Sequence, residues 1–93
     1  MPRLEFSDTN EFGRWLSKQV STYKKSYKVY LTDTEVVAIP ATSTRPHEYG
    51  YVRINTEEEY KKLLTLTDTL GIDVFKLSRI VWNPEQEVRV GEE

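Results

Sequence analysis

The feature that most narrows the fold is a change of hydrophobic period near residue 25. Phe12, Trp15, Leu16, Val20 and Tyr23 recur at +3, +4, +8 and +11, the spacing of one face of an α-helix. Shortly afterwards Tyr27, Val29 and Leu31 alternate with Lys28, Tyr30 and Thr32, the period of a half-buried strand. A chain that switches in this way buries both apolar faces by laying a helix on a sheet. The helix is expected from about Asp8 to Tyr23. Ser7 or Asp8 can cap it, and Glu11 suits the positive end of its dipole. Gly13 within it costs about 1 kcal/mol relative to alanine, and it leaves room for another backbone to approach.

Downstream, "TDTE" (residues 32–35) reads as a turn and "VVAI" (36–39) as a second strand, so residues 27–39 form a β-hairpin. Pro40 ends it, because proline cannot donate to a ladder. "ATSTRPHEYG" (41–50) is a polar loop, and "YGYVRI" (49–54) is a third strand. "NTEEEYKKLLTLTDTLG" opens with Thr56 and Glu59 at capping-box spacing. Tyr60, Leu63, Leu64, Thr67 and Leu70 then form a helical stripe, and Gly71 suits the left-handed position that closes a helix. "IDVFKLSRIVWNP" (72–84) reads two ways. As a helix it has Asp73 as cap and stops before Pro84; as a strand it alternates Asp73, Phe75, Leu77, Arg79 and Val81 with the rest. The helix is the expectation. The order α-β-β-β-α-α predicts an α+β fold, a three- to four-stranded antiparallel sheet with two or three helices packed on one face. Residues 1–84 are expected to be a single globular domain, and 85–93 a frayed, acidic C-terminal tail.

The 93 residues suffice for one modest core. There is no cysteine, which excludes disulfides, thiolate metal sites and cysteine nucleophiles. No apolar run approaches the roughly 18 residues of a membrane span, and the N-terminus lacks the apolar core of a secretory signal. A cytoplasmic protein without membrane contact is the expectation. His47 is the sole histidine and reads as a solvated loop residue. Glu57, Glu58 and Glu59 read as favourable charge in a first helical turn, since consecutive helical side chains diverge by about 100° and do not converge on a metal. With no phosphate loop, zinc signature or catalytic spacing, the chain is expected to be a non-enzyme with no cofactor.

The net charge is −2, but it is unevenly spread. Residues 1–55 carry eight Lys/Arg against six Asp/Glu, and residues 56–93 carry five against nine. Gly13 to Thr32 holds Arg14, Lys18, Lys24, Lys25 and Lys28 and no acid. A local patch of this kind is felt by a polyanion within a Debye length of about 8–10 Å. If Val29, Leu31, Val52 and Ile54 face the helices, then Lys28, Tyr30, Tyr49, Tyr51 and Arg53 face outward, with Lys24, Lys25 and Arg45 at the rim. Tyr30, Tyr49 and Tyr51 would stack on bases, the cations would hold the backbone, and the 41–50 loop would fold over as a flap. This is the physics of single-stranded DNA or RNA binding, without the glycine-aromatic signature of the RNA recognition motif. DNA is the first choice. The bland reading is that tyrosine favours strands anyway. The rival reading is a protein-interaction module, for instance a regulatory or virus-encoded inhibitor, since tyrosine and arginine also mark protein interfaces. A homodimer is compatible with either.

Two resemblances accompany these residues. The layout over residues 8–82, with "YKKSYKVY" and "HEYGYVRI" in chemical character, resembles the DNA-binding domain of the Thermo-DBP family, archaeal single-stranded DNA-binding proteins. That resemblance implies helices backing an antiparallel sheet with a basic, apolar cleft. Separately, residues 63–82 resemble a helix-turn-helix with Gly71 at the turn. Leu66, Leu70, Ile72, Leu77 and Ile80 stand at its apolar positions. It implies duplex DNA binding with Lys76 and Arg79 towards the groove.

Overall fold

A computed structural model describes residues 4–41, 49–78, 81–82 and 88–89. The order is β1 (Leu4–Phe6), α1 (Thr9–Ser17), a π-helical turn (Lys18–Thr22), β2 (Tyr27–Leu31), β3 (Glu35–Pro40), β4 (Gly50–Arg53), α2 (Glu57–Leu70), β5 (Asp73–Lys76), β6 (Val81–Trp82) and β7 (Val88–Arg89).

Asp8 caps α1 in extended conformation and accepts from the Asn10 amide at 2.8 Å. Phe12 and Leu16 are fully buried. Gly13 is buried too, and a Cβ on it would lie 3.1 Å from Leu66 Cδ2 on α2. Helical bonding continues past Ser17 but widens to the i→i+5 pattern, which adds about one residue to the turn and rotates everything after it. That rotation explains Tyr23. The period placed it on the core face, yet it is 52% exposed. The Tyr23 amide donates to Lys18 O and the Lys25 amide to Gln19 O, both at 3.0 Å. Between them Lys24 takes φ +58°, a left-handed conformation that costs an L-residue about 1–2 kcal/mol and suits glycine. Lys24→Gly is therefore expected to stabilise the fold by about 0.5–1 kcal/mol in urea unfolding, after the greater chain entropy of glycine is set against the relieved strain. A loss of stability would mean that the Lys24 side chain itself contributes.

The hairpin forms as expected. Thr32 Oγ1 accepts from the Thr34 and Glu35 amides at 3.2 and 3.0 Å, and β2 pairs antiparallel with β3, as does β4. The capping box at Thr56 and Glu59 is complete, and Gly71 closes α2 at φ +71°.

The sheet differs from the expected one. It is five-stranded and mixed, in the order β1-β4-β3-β2-β5. Its antiparallel centre is flanked by two parallel edge pairs, β1 with β4 and β2 with β5. The stretch expected as a third helix supplies β5 instead. The reason is hydrogen bonding: β2 carries core residues, and a helix beside it would leave the groups of its outer ladder unpaired. With β5 alongside, Val29 pairs with Val74 and Tyr30 with Phe75, and the Leu77 amide donates to Leu31 O at 2.8 Å. A strand directly after Gly71 also removes the second helix of the helix-turn-helix, so Lys76 does not stand on a recognition helix. Arg79, Ile80, Arg45, His47 and residues 42–48 of the 41–50 loop expected as a flap lie outside the described residues. Residues 88–89 of the expected tail form β7, paired antiparallel with β6 in a separate two-stranded sheet.

The helices deliver Phe12, Leu16 and Leu63 into one core with Val29, Leu31, Val36, Ala38, Val52 and Ile54. The inward and outward sorting of β2 and β4 therefore holds. Phe6 from β1 joins an aromatic group around Trp15, whose ring centroid lies 5.4 Å from Phe6, 5.8 Å from Phe12 and 5.6 Å from Tyr27. No helix among the described residues is long and apolar enough to cross a membrane.

Candidate nucleic-acid interface

On the outer face, the pairing sets Phe75, Tyr30, Val37 and Tyr51 in one row across β5, β2, β3 and β4. Val37 is completely buried and Tyr49 and Tyr51 nearly so. The expectation of an open face is therefore corrected at its centre. Tyr51 shares the face with Tyr30, but neither it nor Tyr49 is an exposed ring on which a base could stack. Tyr30 and Tyr51 are also held apart by the strand that carries Val37, roughly 10 Å at two strand spacings.

Tyr51 is tied into the fold. Its hydroxyl donates to Glu35 Oε2 at 3.1 Å. Glu35 is the register partner of Arg53, which is exposed. Burial, then the charge of Glu35, raises the Tyr51 pKa above that of a free tyrosine. A folded-state pKa above the unfolded one means that the native state holds this proton more tightly. The resulting stability is present below about pH 10 and is lost as pH rises through the folded value. Unfolding measured from pH 8 to 11 should therefore show a steeper loss in the native protein than in Tyr51→Phe. Equal slopes would contradict the assignment.

Among the described residues the exposed rings lie elsewhere, each accompanied by lysine. Phe75 is 40% exposed. Tyr30 stacks on it at 5.2 Å and 24°, and Lys28 Nζ lies 6.0 Å from its centroid. Tyr23 has Lys18 Nζ and Lys25 Nζ at 5.8 and 5.9 Å from its centroid. Such placements are favourable because the ring face carries the negative lobe of the quadrupole. A cavity of about 290 Å³ is lined by Lys25, Ser26, Lys28 and Asp73, together with Leu70 and Gly71 at the end of α2.

Of the expected set, Lys25 and Lys28 line one cavity where β2 meets β5, Tyr30 stacks on Phe75 of β5, and Lys24 adjoins Lys25 in the chain. Arg53, Tyr49 and Tyr51 sit across the face, and Arg45 is not among the described residues. Tyr23, Lys18 and Phe75 are additions. The π-turn hid Tyr23. Phe75 is readable in the alternation of "DVFK", in the strand reading of residues 72–84. Among the described residues no group of three or more His, Cys, Asp or Glu is placed to hold a metal ion. Compared with protein-family models, curated proteins and solved structures, the chain matches none.

Proposed function

We propose that the protein binds single-stranded nucleic acid at the β2–β5 corner. Phe75 and Tyr23 serve as stacking surfaces, Tyr30 supports Phe75 from behind, and Lys18, Lys24, Lys25 and Lys28 hold the phosphates. The observation that carries the reading is the pairing of each exposed ring with lysine ammonium groups within about 6 Å. Single strands need both parts, an open π-face for the base and a cation for the backbone. The residues from Gly13 to Thr32, which supply four of these lysines, contain no acid to oppose them.

The test is a fluorescence-anisotropy titration of labelled oligo-dT and a matched duplex at two salt concentrations. Four lysines on phosphates give a slope of log K against log salt near −3 for a single strand. No binding to either strand form at low salt would end the reading, and preference for the duplex would end its single-strand part. The second reading, a protein partner, is favoured by Leu4, 42% exposed on the short edge strand β1. Such an interface would show little salt dependence.

A further inference from the structure

We infer that Asp73 makes this site selective for RNA over DNA by accepting a hydrogen bond from a ribose 2′-hydroxyl. The inference rests on the single-strand reading and starts from a residue that does not fit it. A surface that holds phosphate should keep carboxylates out of its path. Yet Asp73 is exposed, is the register partner of Lys28, and lines the same cavity as Lys25 and Lys28. A carboxylate only accepts hydrogen bonds, so against a phosphate it repels. Against a hydroxyl it gains.

The spacing selects the sugar. Asp73 and Phe75 are same-face neighbours on β5, roughly 6.7 Å apart along the strand, and Lys28 is about 4.8 Å across on β2. A base stacked on Phe75 with its phosphate at Lys28 carries its sugar between the two, beside Asp73. At that place RNA offers one donor, the 2′-hydroxyl, and DNA offers none. Acidic side chains read ribose hydroxyls in the same way in dinucleotide-binding folds. Asp73 is then the group that converts a phosphate-and-ring site into one that reads the sugar.

The experiment compares labelled oligo-rU, oligo-dU and 2′-O-methyl oligo-U of equal length at low salt. The three share base and charge and differ in the 2′ donor. The native protein is expected to bind oligo-rU about fivefold or more tighter than the other two, the worth of one hydrogen bond to a charged acceptor in a wet site. In Asp73→Ala the ratio should fall to about one, and Asp73→Asn, which keeps an acceptor oxygen, should fall between. Equal affinity of the native protein for oligo-rU and oligo-dU, or a ratio that survives Asp73→Ala, would overturn the inference while leaving the single-strand reading intact. Failure of every oligonucleotide to bind would overturn both.

Discussion

Replacing Gly50 by alanine is expected to lower stability by about 3 kcal/mol, the upper part of the range for overpacked cores. Gly50 opens β4 on the inner face, beside Ala38 of β3. The ring of Trp15 lies directly over it, so that a Cβ there would overlap the Cζ3 and Cη2 atoms. Neither party can easily give. Gly50 is fixed by ladders to β1 on one side and β3 on the other. Trp15 is held among Phe6, Phe12 and Tyr27. For a domain of this length the loss is a large share of a total of roughly 5–14 kcal/mol. It corresponds to a fall in Tm of roughly 12–24 °C. The Trp15→Leu/Gly50→Ala double variant should lose less than the sum of the single variants, because the shorter side chain vacates the space. A Gly50→Ala protein within 1 kcal/mol of the native one would place the Trp15 ring elsewhere.

The second large effect is on binding. Phe75→Ala is expected to weaken single-strand affinity by about 5- to 150-fold, the worth of one stacked base. Its cost in stability is smaller, since the ring is 40% exposed. Lys28→Ala should act differently, reducing the salt slope by about 0.7 while removing no stacking surface. Anisotropy titrations of both variants across salt separate the two contributions. If Phe75→Ala binds as tightly as the native protein, the ring is not a stacking surface.

Much of the scaffold was legible because local signals and tertiary demands agree. Asp8, the Thr56–Glu59 box and Gly71 terminate their helices where cap chemistry says they should. Val29, Leu31, Val52 and Ile54 turn inward as their alternation requires. The two edge strands were harder for different reasons. β1 has three residues, Leu4–Phe6, too few to display a period. β5 lies in a stretch whose apolar residues fit both 3.6 and 2, and the choice is made by the unpaired edge of β2, a non-local fact. The candidate site inherits this division. Lys24, Lys25, Lys28 and Tyr30 belong to a hairpin entry that the sequence places well. Phe75 arrives only once β5 is docked, and Tyr23 only once the π-turn has rotated it out. Tyr49 and Tyr51 illustrate the opposite limit. Alternation assigns a face but not its burial, and the buried Val37 between β2 and β4 shows that this face is covered at its centre.

The most direct test of the central claim is an amide ¹H–¹⁵N correlation spectrum recorded as a short oligo-U single strand is added. The account predicts shift changes concentrated in residues 18–30 and 73–76, with the Glu57–Leu70 helix and the Tyr51–Glu35 pair little affected. Changes centred on the 49–54 strand, or none at saturating oligonucleotide, would contradict it.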